Sequence, residues 1–174
     1  MKHTVSIAFV FLWYLAFSVV QAQPSFFEVL PDAEEKKLFR GLVTMADIKN
    51  DSSFTWYAQN TKYYKPNAAL VAALKAKAGQ YHLMLFAGTW CHDSQQIIPK
   101  YFRCLEAAGM PDSVITIAAA DRNKTTIASL HKVFQVTMVP TIIVMKDGKE
   151  VGRITEFGKT GLPEAELAVL IESL

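Results

Sequence analysis

The chain has 174 residues, a formal net charge of +2 and a composition that is 51% hydrophobic and 20% charged, with only two cysteines, Cys91 and Cys104. This length suits about one domain, which can bury a core without disulfide bonds. Two cysteines are too few for a disulfide scaffold. Because no basic block and no interleaving of basic with aromatic residues occurs, we expect no nucleic-acid partner.

An uncharged apolar run, Val5 to Val20, follows Lys2 and His3. A basic start, an apolar run and small residues before a cut after Ala22 are the pattern of a secretory signal peptide. The alternative is an uncleaved anchor, although the run is shorter than the roughly 20 residues that a spanning helix requires. We expect residues 1–22 to be removed and the protein to be exported without membrane attachment, to the periplasm in a Gram-negative host and otherwise as a secreted protein.

The next segment, residues 23–79, is predicted to be a helical N-terminal extension packed on the following domain. Asp32 and the acidic residues after it suit the first turn of a helix from Ala33 to Arg40. Asn67 precedes a run rich in alanine and leucine that ends at Gly79, which predicts a second helix. Five aromatic residues lie between them: Phe54, Trp56, Tyr57, Tyr63 and Tyr64. We expect these rings to pack the extension onto the sheet; alternatively, part of the cluster borders a substrate groove.

The second half of the chain alternates between strand and helix patterns. Short apolar runs at 81–88 and 113–120 predict two buried strands, and a helical pattern follows each one. A later hairpin is predicted to turn at Asp147–Gly148, and Pro163 suits the first turn of a final helix. The order β-α-β-α-β-β-α predicts a three-layer α/β sandwich over residues 80–174.

The motif Trp90-Cys91-His92-Asp93-Ser94 joins the first of these strands to its helix. Free backbone N–H groups at a helix N-terminus and the positive end of the helix dipole stabilise an anion. This setting favours the thiolate form of Cys91, which is the nucleophile in disulfide exchange. A protonated His92 would add to this effect and Asp93 would oppose it, while Ser94 is predicted to donate a hydrogen bond to the thiolate.

The motif and the element order resemble the thioredoxin-like superfamily over roughly residues 81–174. Trp90-Cys91 stands at the strand-to-helix turn, and Pro99 follows eight residues after the cysteine, where thioredoxins kink the same helix. Val139-Pro140 precedes the hairpin, where thioredoxins hold a cis-proline beside the cysteine. The resemblance implies a thioredoxin-like three-layer sandwich. A looser similarity connects the chain to exported thioredoxin-like proteins of Bacteroidetes-type bacteria.

The resemblance also implies a docking surface around the cysteine. In thioredoxins the proline presents a backbone edge against which an extended peptide lies. Carried onto this chain, Trp90, Val139 and Pro140 would form that surface, with His92 and Asp93 beside it.

The chain departs from the thioredoxin pattern at two positions. Ser94 stands where thioredoxins have the resolving cysteine, so Cys91 can form a mixed disulfide but needs an external thiol donor for release. Leu85 stands where they have a buried aspartate. Cys104 cannot substitute for the missing thiol, because 13 residues of helix separate it from Cys91. That separation is about 20 Å, whereas a disulfide needs Cα atoms within about 7 Å. We therefore interpret Cys104 as a structural thiol.

The sequence thus predicts an exported monothiol protein of cell redox homeostasis, with Cys91 and Ser94 as its catalytic residues. Isomerase-like exchange and deglutathionylation both remain open. The expected partners are a disulfide- or thiol-bearing protein or a small thiol, together with the external thiol donor, and we expect a monomer without cofactor or metal. The alternative is a redox-inactive binding module that uses the cis-proline groove. A metal site at Cys91, His92 and Asp93 is weaker still, because three consecutive residues rarely converge on one ion.

Overall fold

The computed structural model describes residues 26–174, so the predicted signal peptide lies outside the described residues. These residues contain one six-stranded sheet, formed by β1 (Phe27–Asp32), β2 (Lys36–Val43), β3 (His82–Ala87), β4 (Ile115–Ala119), β5 (Thr141–Lys146) and β6 (Lys149–Thr155). The strand order is β1-β2-β4-β3-β5-β6. The central pair β3–β4 is parallel, and the other neighbouring strands pair antiparallel.

Six α-helices occur within residues 26–174: α1 (Met45–Lys49), α2 (Thr55–Thr61), α3 (Ala68–Ala76), α4 (His92–Ala108), α5 (Leu130–Val133) and α6 (Pro163–Glu172). Short 3₁₀ turns lie at Asp112–Val114 and Ile127–Ser129. None of the helices in this described part is long and apolar enough to cross a membrane.

Successive side chains of a strand point to opposite faces of the sheet, which therefore carries two cores. Leu83, Leu85 and Ala87 of β3 lie in the larger core together with α1, α2, α3, α4 and α6. Phe86, from the same strand, points into a smaller core that contains Val139 and is partly covered by α5. The predicted α/β sandwich is confirmed, and the smaller core is the one that reaches Cys91.

The helix predicted from Ala33 to Arg40 is wrong, because this segment forms the turn and most of the second strand of a β-hairpin. Asp32 Oδ1 accepts hydrogen bonds from the backbone N–H groups of Glu34 (3.1 Å) and Glu35 (2.8 Å), so it closes the turn and does not cap a helix. Residues 36–40 pair with β1 across the hairpin, and Gly41–Val43 then pair with β4. The backbone hydrogen bonds of this pairing outweigh local helix propensity. The extension is helical only from Met45 onward.

The helix predicted after β4 is much shorter than expected. It is reduced to the 3₁₀ turn Ile127–Ser129 and the four-residue α5. Ala128 and Ser129 have φ angles of +50° and +53°, which interrupt a right-handed helix at its start.

The local signals elsewhere led to correct predictions. The side chain of Asn67 caps α3 by accepting from Leu70 N–H at 3.0 Å. Asp147 and Gly148 both have positive φ, +50° and +74°, as a two-residue hairpin turn requires. Pro163 occupies the first turn of α6, where its missing N–H removes no helical hydrogen bond.

Candidate active site

Cys91 is the residue that precedes the first turn of α4, and this residue is partly exposed. Its backbone N–H donates to the Gly88 carbonyl at 2.9 Å, and its own carbonyl accepts from Gln95 N–H at 2.9 Å. The Sγ–H group donates to the carbonyl oxygen of Val139 at 3.2 Å. The thiol therefore lies between the start of a helix and the segment that leads into β5.

Ser94 is fully buried and does not make the predicted hydrogen bond. Its Oγ accepts from the backbone N–H of Gly88 at 3.2 Å, and no hydrogen bond to Cys91 occurs in the described part of the chain. The reason is local: Gly88 is itself buried, and its N–H would otherwise lack a partner, which carries a free-energy cost. Ser94 thus supports the loop that holds Cys91.

Two contacts fix the side chain of Trp90, which belongs to this loop. Its indole Nε1–H donates to the Ala120 carbonyl at 2.9 Å, and the guanidinium of Arg122 lies over its ring, 5.3 Å from the centroid. A Cβ atom at Gly88 would lie 2.9 Å from Trp90 Cε2 and 3.1 Å from Cys91 Cβ. Only glycine fits beside both side chains without displacing one of them.

His92 and Asp93 lie at the start of α4 but do not contact the thiol through a hydrogen bond within residues 26–174. His92 is exposed, and its Nε2 accepts from the side-chain amide of Gln96 at 2.7 Å, one turn further along the helix. Asp93 is partly exposed in the first turn, where a carboxylate stabilises the helix. Both residues therefore border Cys91 as neighbours on the helix.

Val139 and Pro140 are both buried and are joined by a cis peptide bond. The Val139 carbonyl accepts from the Cys91 thiol, and the Pro140 carbonyl accepts from Glu156 N–H at 2.7 Å. The structure therefore places Trp90 and Cys91 against the smaller core that contains Val139.

Leu85 and Cys104 both lie in the larger core, away from solvent. Leu85 is fully buried and faces Ile117 and Ile142 on the flanking strands, so an apolar side chain fills this position. Cys104 is fully buried as a free thiol, with its Sγ 3.5 Å from the hydroxyl of Tyr64. Burial raises the pKa of the Cys104 thiol. The protonated thiol, which is less reactive than the thiolate, is therefore favoured at this position.

The aromatic residues of the extension mostly pack inside the protein. Phe54, Trp56 and Tyr57 are buried, and Tyr57 reaches Phe102 of α4 with ring centroids 6.2 Å apart. Tyr63 is 83% exposed. The cluster therefore joins the extension to the back of the helix that begins at Cys91. No group of three or more histidine, cysteine or acidic side chains within residues 26–174 is arranged to hold a metal ion.

The thioredoxin family model matches residues 67–168, which is more than half of the chain. The chain belongs to the thioredoxin family. The match begins at α3, so the hairpin β1–β2 and the helices α1 and α2 precede the part that the family shares.

Solved structures resemble this thioredoxin-family chain at low sequence identity. An HIV epitope scaffold has a TM-score of 0.52 at 16% identity, over 75% of this chain and 93% of that chain. A protein of unknown function from Pseudomonas aeruginosa has a TM-score of 0.49 at 16% identity, over 75% and 82%. Mitochondrial thioredoxin 3 from Saccharomyces cerevisiae, in its oxidized form, has a TM-score of 0.40 at 23% identity, over 56% and 82%. None of the curated protein sequences matches the chain.

Sequence reasoning missed a pair of residues, Arg122 and Asp32, that reaches the Trp90 side chain of the candidate site. Arg122 contacts the Trp90 ring, and it forms an ion pair with Asp32, 90 residues away. Hydrogen bonds from Arg122 and from Glu35 N–H hold the pKa of the Asp32 carboxyl well below its usual range. No local motif connects these residues, since the contact depends on how the hairpin β1–β2 docks on the sheet.

Proposed function

We propose that this thioredoxin-family protein exchanges thiols and disulfides through Cys91 alone. One observation carries the proposal: Cys91, a partly exposed residue, stands at the N-terminus of the 17-residue α4 with its thiol against Val139, while Ser94 occupies the place of a second thiol. A reactive sulfur at such a helix start is suited to form a mixed disulfide.

The helix start supplies the stabilisation that the thiolate needs. The N–H groups of His92, Asp93 and Ser94 belong to the first turn of α4, where backbone donors have no intrahelical acceptor. When Cys91 loses its proton, its bond to the Val139 carbonyl is lost as well, because a carbonyl only accepts. The sulfur then becomes an acceptor for these free donors, and the helix dipole favours the negative charge.

The exchange proceeds in one substitution at sulfur. The Cys91 thiolate attacks one sulfur of a disulfide, the Cys91 S–S bond forms, the original S–S bond breaks, and the electron pair leaves with the departing thiolate. Attack on a mixed disulfide with glutathione removes glutathione from the substrate. Attack on a protein disulfide gives a covalent intermediate that a second substrate thiol can rearrange.

Release of Cys91 requires a thiol from outside the chain. Ser94 cannot attack a disulfide, and Cys104 is fully buried on the core-facing side of α4. An external thiolate therefore attacks the mixed disulfide and returns Cys91 to its reduced state. The partners of the proposal are accordingly a disulfide- or thiol-bearing protein, or a small disulfide, and a small thiol donor.

The place of action in the proposal is outside the cytoplasm. The basic start and apolar run of residues 1–22 support cleavage of a signal peptide after Ala22. The periplasm is the destination in a Gram-negative host, as in the Bacteroidetes-type proteins that the motif resembles. A mature chain that begins at Gln23 on N-terminal sequencing of the exported protein supports this part, and retention of Met1 contradicts it.

A second candidate function is a binding module without turnover. It is favoured by the bond from the Cys91 thiol to the Val139 carbonyl, which stabilises the protonated sulfur. In that case Cys91→Ser leaves binding of a partner unchanged, because the hydroxyl donates to the same carbonyl. An exchange protein instead loses its covalent adduct in this variant.

The deciding experiment exposes the Cys104→Ser protein to oxidised glutathione and measures the adduct by intact mass. The proposal expects one glutathione on Cys91 and its removal by reduced glutathione. Cys91→Ser in the same background is the matched control and should carry no adduct. Absence of an adduct on the Cys104→Ser protein would exclude the exchange function and leave the binding module.

A further inference from the structure

Three charged side chains, those of Arg122, Asp32 and Glu34, cluster beside the loop from Gly88 to Cys91, which is called the Cys91 loop below. Arg122 Nε and Nη2 donate to the two carboxylate oxygens of Asp32 at 2.6 and 2.8 Å, and Nη2 also donates to Glu34 at 2.9 Å. A two-point contact between guanidinium and carboxylate fixes the orientation of the arginine plane. The Asp32 side chain is only 4% exposed, whereas that of Glu34 is 76% exposed, so Asp32 is the anchor.

Asp32 is itself held rigidly by the hairpin turn. Its Oδ1 also accepts from the backbone N–H groups of Glu34 and Glu35. The hairpin is in turn attached to the site, because Phe39 N–H of β2 donates to Thr89 Oγ1 at 3.1 Å, one residue before Trp90. The turn, the second strand and the Cys91 loop thus form one connected unit.

The face of the same Arg122 guanidinium lies over the Trp90 ring. Its guanidinium carbon lies 5.3 Å from the ring centroid, within the roughly 6 Å range of an attractive cation–π contact. The indole edge is fixed separately by the bond from Nε1–H to Ala120. With Arg122 in place, the indole is restrained on its face as well as its edge.

We propose that Arg122 is a positioning residue that fixes the Trp90 indole beside Cys91, and that Asp32 of the hairpin turn holds Arg122 in that place. The role of this contact in exchange rests on the proposed function. Asp32 and Glu34 precede the segment that the family model matches, whereas Arg122 and Trp90 lie within it. Through Asp32 and Arg122, the hairpin β1–β2 thereby supports the docking surface around Cys91.

The inference distinguishes two kinds of substrate. An extended peptide disulfide lies against Trp90 when Cys91 attacks it, whereas a small disulfide needs only the sulfur. Loss of Arg122 should therefore slow adduct formation with a peptide–glutathione disulfide about fivefold. This factor corresponds to the free energy of one exposed cation–π contact. The reaction with oxidised glutathione should change by less than about twofold.

A direct readout of the indole position avoids dependence on activity. In the purified protein, hydrogen exchange of the Trp90 indole N–H is measured by NMR, with the buried Trp56 indole as internal reference. Arg122→Ala should accelerate exchange at Trp90 and leave Trp56 unchanged, and Asp32→Asn should act in the same direction. Arg103→Ala is the matched control, since Arg103 pairs with Glu106 within α4.

The outcomes separate this inference from the proposed function. Unchanged exchange at Trp90 in Arg122→Ala overturns the positioning role, whatever the activity. If exchange rises at both indoles, that variant has lost its fold, and Asp32→Asn decides: faster exchange at Trp90 alone supports the inference, and no change overturns it. Failure of the wild-type protein to form any Cys91 adduct would instead refute the exchange function, while the indole measurement would still stand.

Discussion

The thiol of Cys91 donates a hydrogen bond to the carbonyl of Val139 across 3.2 Å, although 48 residues separate the two in the chain. This contact joins the N-terminus of α4 to the segment that leads into β5. Cys91 is partly exposed at this junction.

The two cysteines should differ sharply in reactivity. With iodoacetamide at about pH 7 we expect rapid labelling of Cys91 alone in the folded protein, because burial shields Cys104 and raises the pKa of its thiol. In denaturant both thiols should react. Mass spectrometry of wild type, Cys91→Ser and Cys104→Ser measures this. Rapid native labelling of Cys91→Ser would contradict the assignment of Cys104 as a structural thiol.

Replacing Ser94 by cysteine should restore self-release. In Ser94→Cys the new thiolate can attack the Cys91 mixed disulfide, form a bond between residues 91 and 94 and expel the reduced substrate. A single-turnover assay with a peptide–glutathione disulfide and no added thiol should therefore show release from the variant but a retained adduct on wild type. Ser94→Ala is the control and should retain the adduct. Equal release from wild type would disprove the need for an external thiol.

Ser94→Ala should also destabilise the protein. Its Oγ is the acceptor for the buried Gly88 N–H, and an unsatisfied buried donor costs about 1–3 kcal/mol. Urea unfolding measures the difference in free energy. Ser94→Thr, which keeps a hydroxyl acceptor, tests whether the hydrogen bond carries the effect. A neutral Ser94→Ala would mean that another acceptor replaces the serine.

Gly88→Ala should crowd the site. The added Cβ would lie 2.9 Å from Trp90 Cε2 and 3.1 Å from Cys91 Cβ, and overpacking of this kind costs about 1–3 kcal/mol. We expect lower stability in urea and slower alkylation of Cys91. Gly79→Ala is a useful comparison, because its Cβ meets nothing within 4 Å although its φ is +79°. That variant should lose some stability from backbone strain and keep normal Cys91 reactivity.

The Asp32–Arg122 ion pair should make the free energy of unfolding depend on pH in the acidic range. Because the folded state holds the pKa of Asp32 below its usual value, its contribution is complete above about pH 4 and is lost as the pH falls below that value. Asp32→Asn should therefore be less stable than wild type at about pH 7, with a difference that shrinks at about pH 3. Urea unfolding at both pH values measures it. A difference that stays constant would exclude charge as the cause.

Several elements of the fold, and the position of Cys91 within it, follow from short-range signals in the sequence. Asn67 caps a helix and Asp147–Gly148 forms a hairpin turn because each adopts its conformation from its own side chain or its freedom in φ. The apolar run at 81–88 followed by a helical pattern likewise places Cys91 at a helix N-terminus. Periodicity and turn chemistry act over about ten residues, so these features can be predicted without a structure.

Only the tertiary structure decided how distant segments meet. The segment after Asp32 has the composition of a helix start, yet it becomes β2, because it pairs antiparallel with β1 over Lys36–Gly41 and continues along β4 over Gly41–Val43. The same docking brings Asp32 to Arg122 and thereby to Trp90. Ser94 turned to Gly88 for a similar reason, because a buried N–H needed an acceptor. Such choices depend on which partners the folded chain leaves unsatisfied, and local sequence does not encode them.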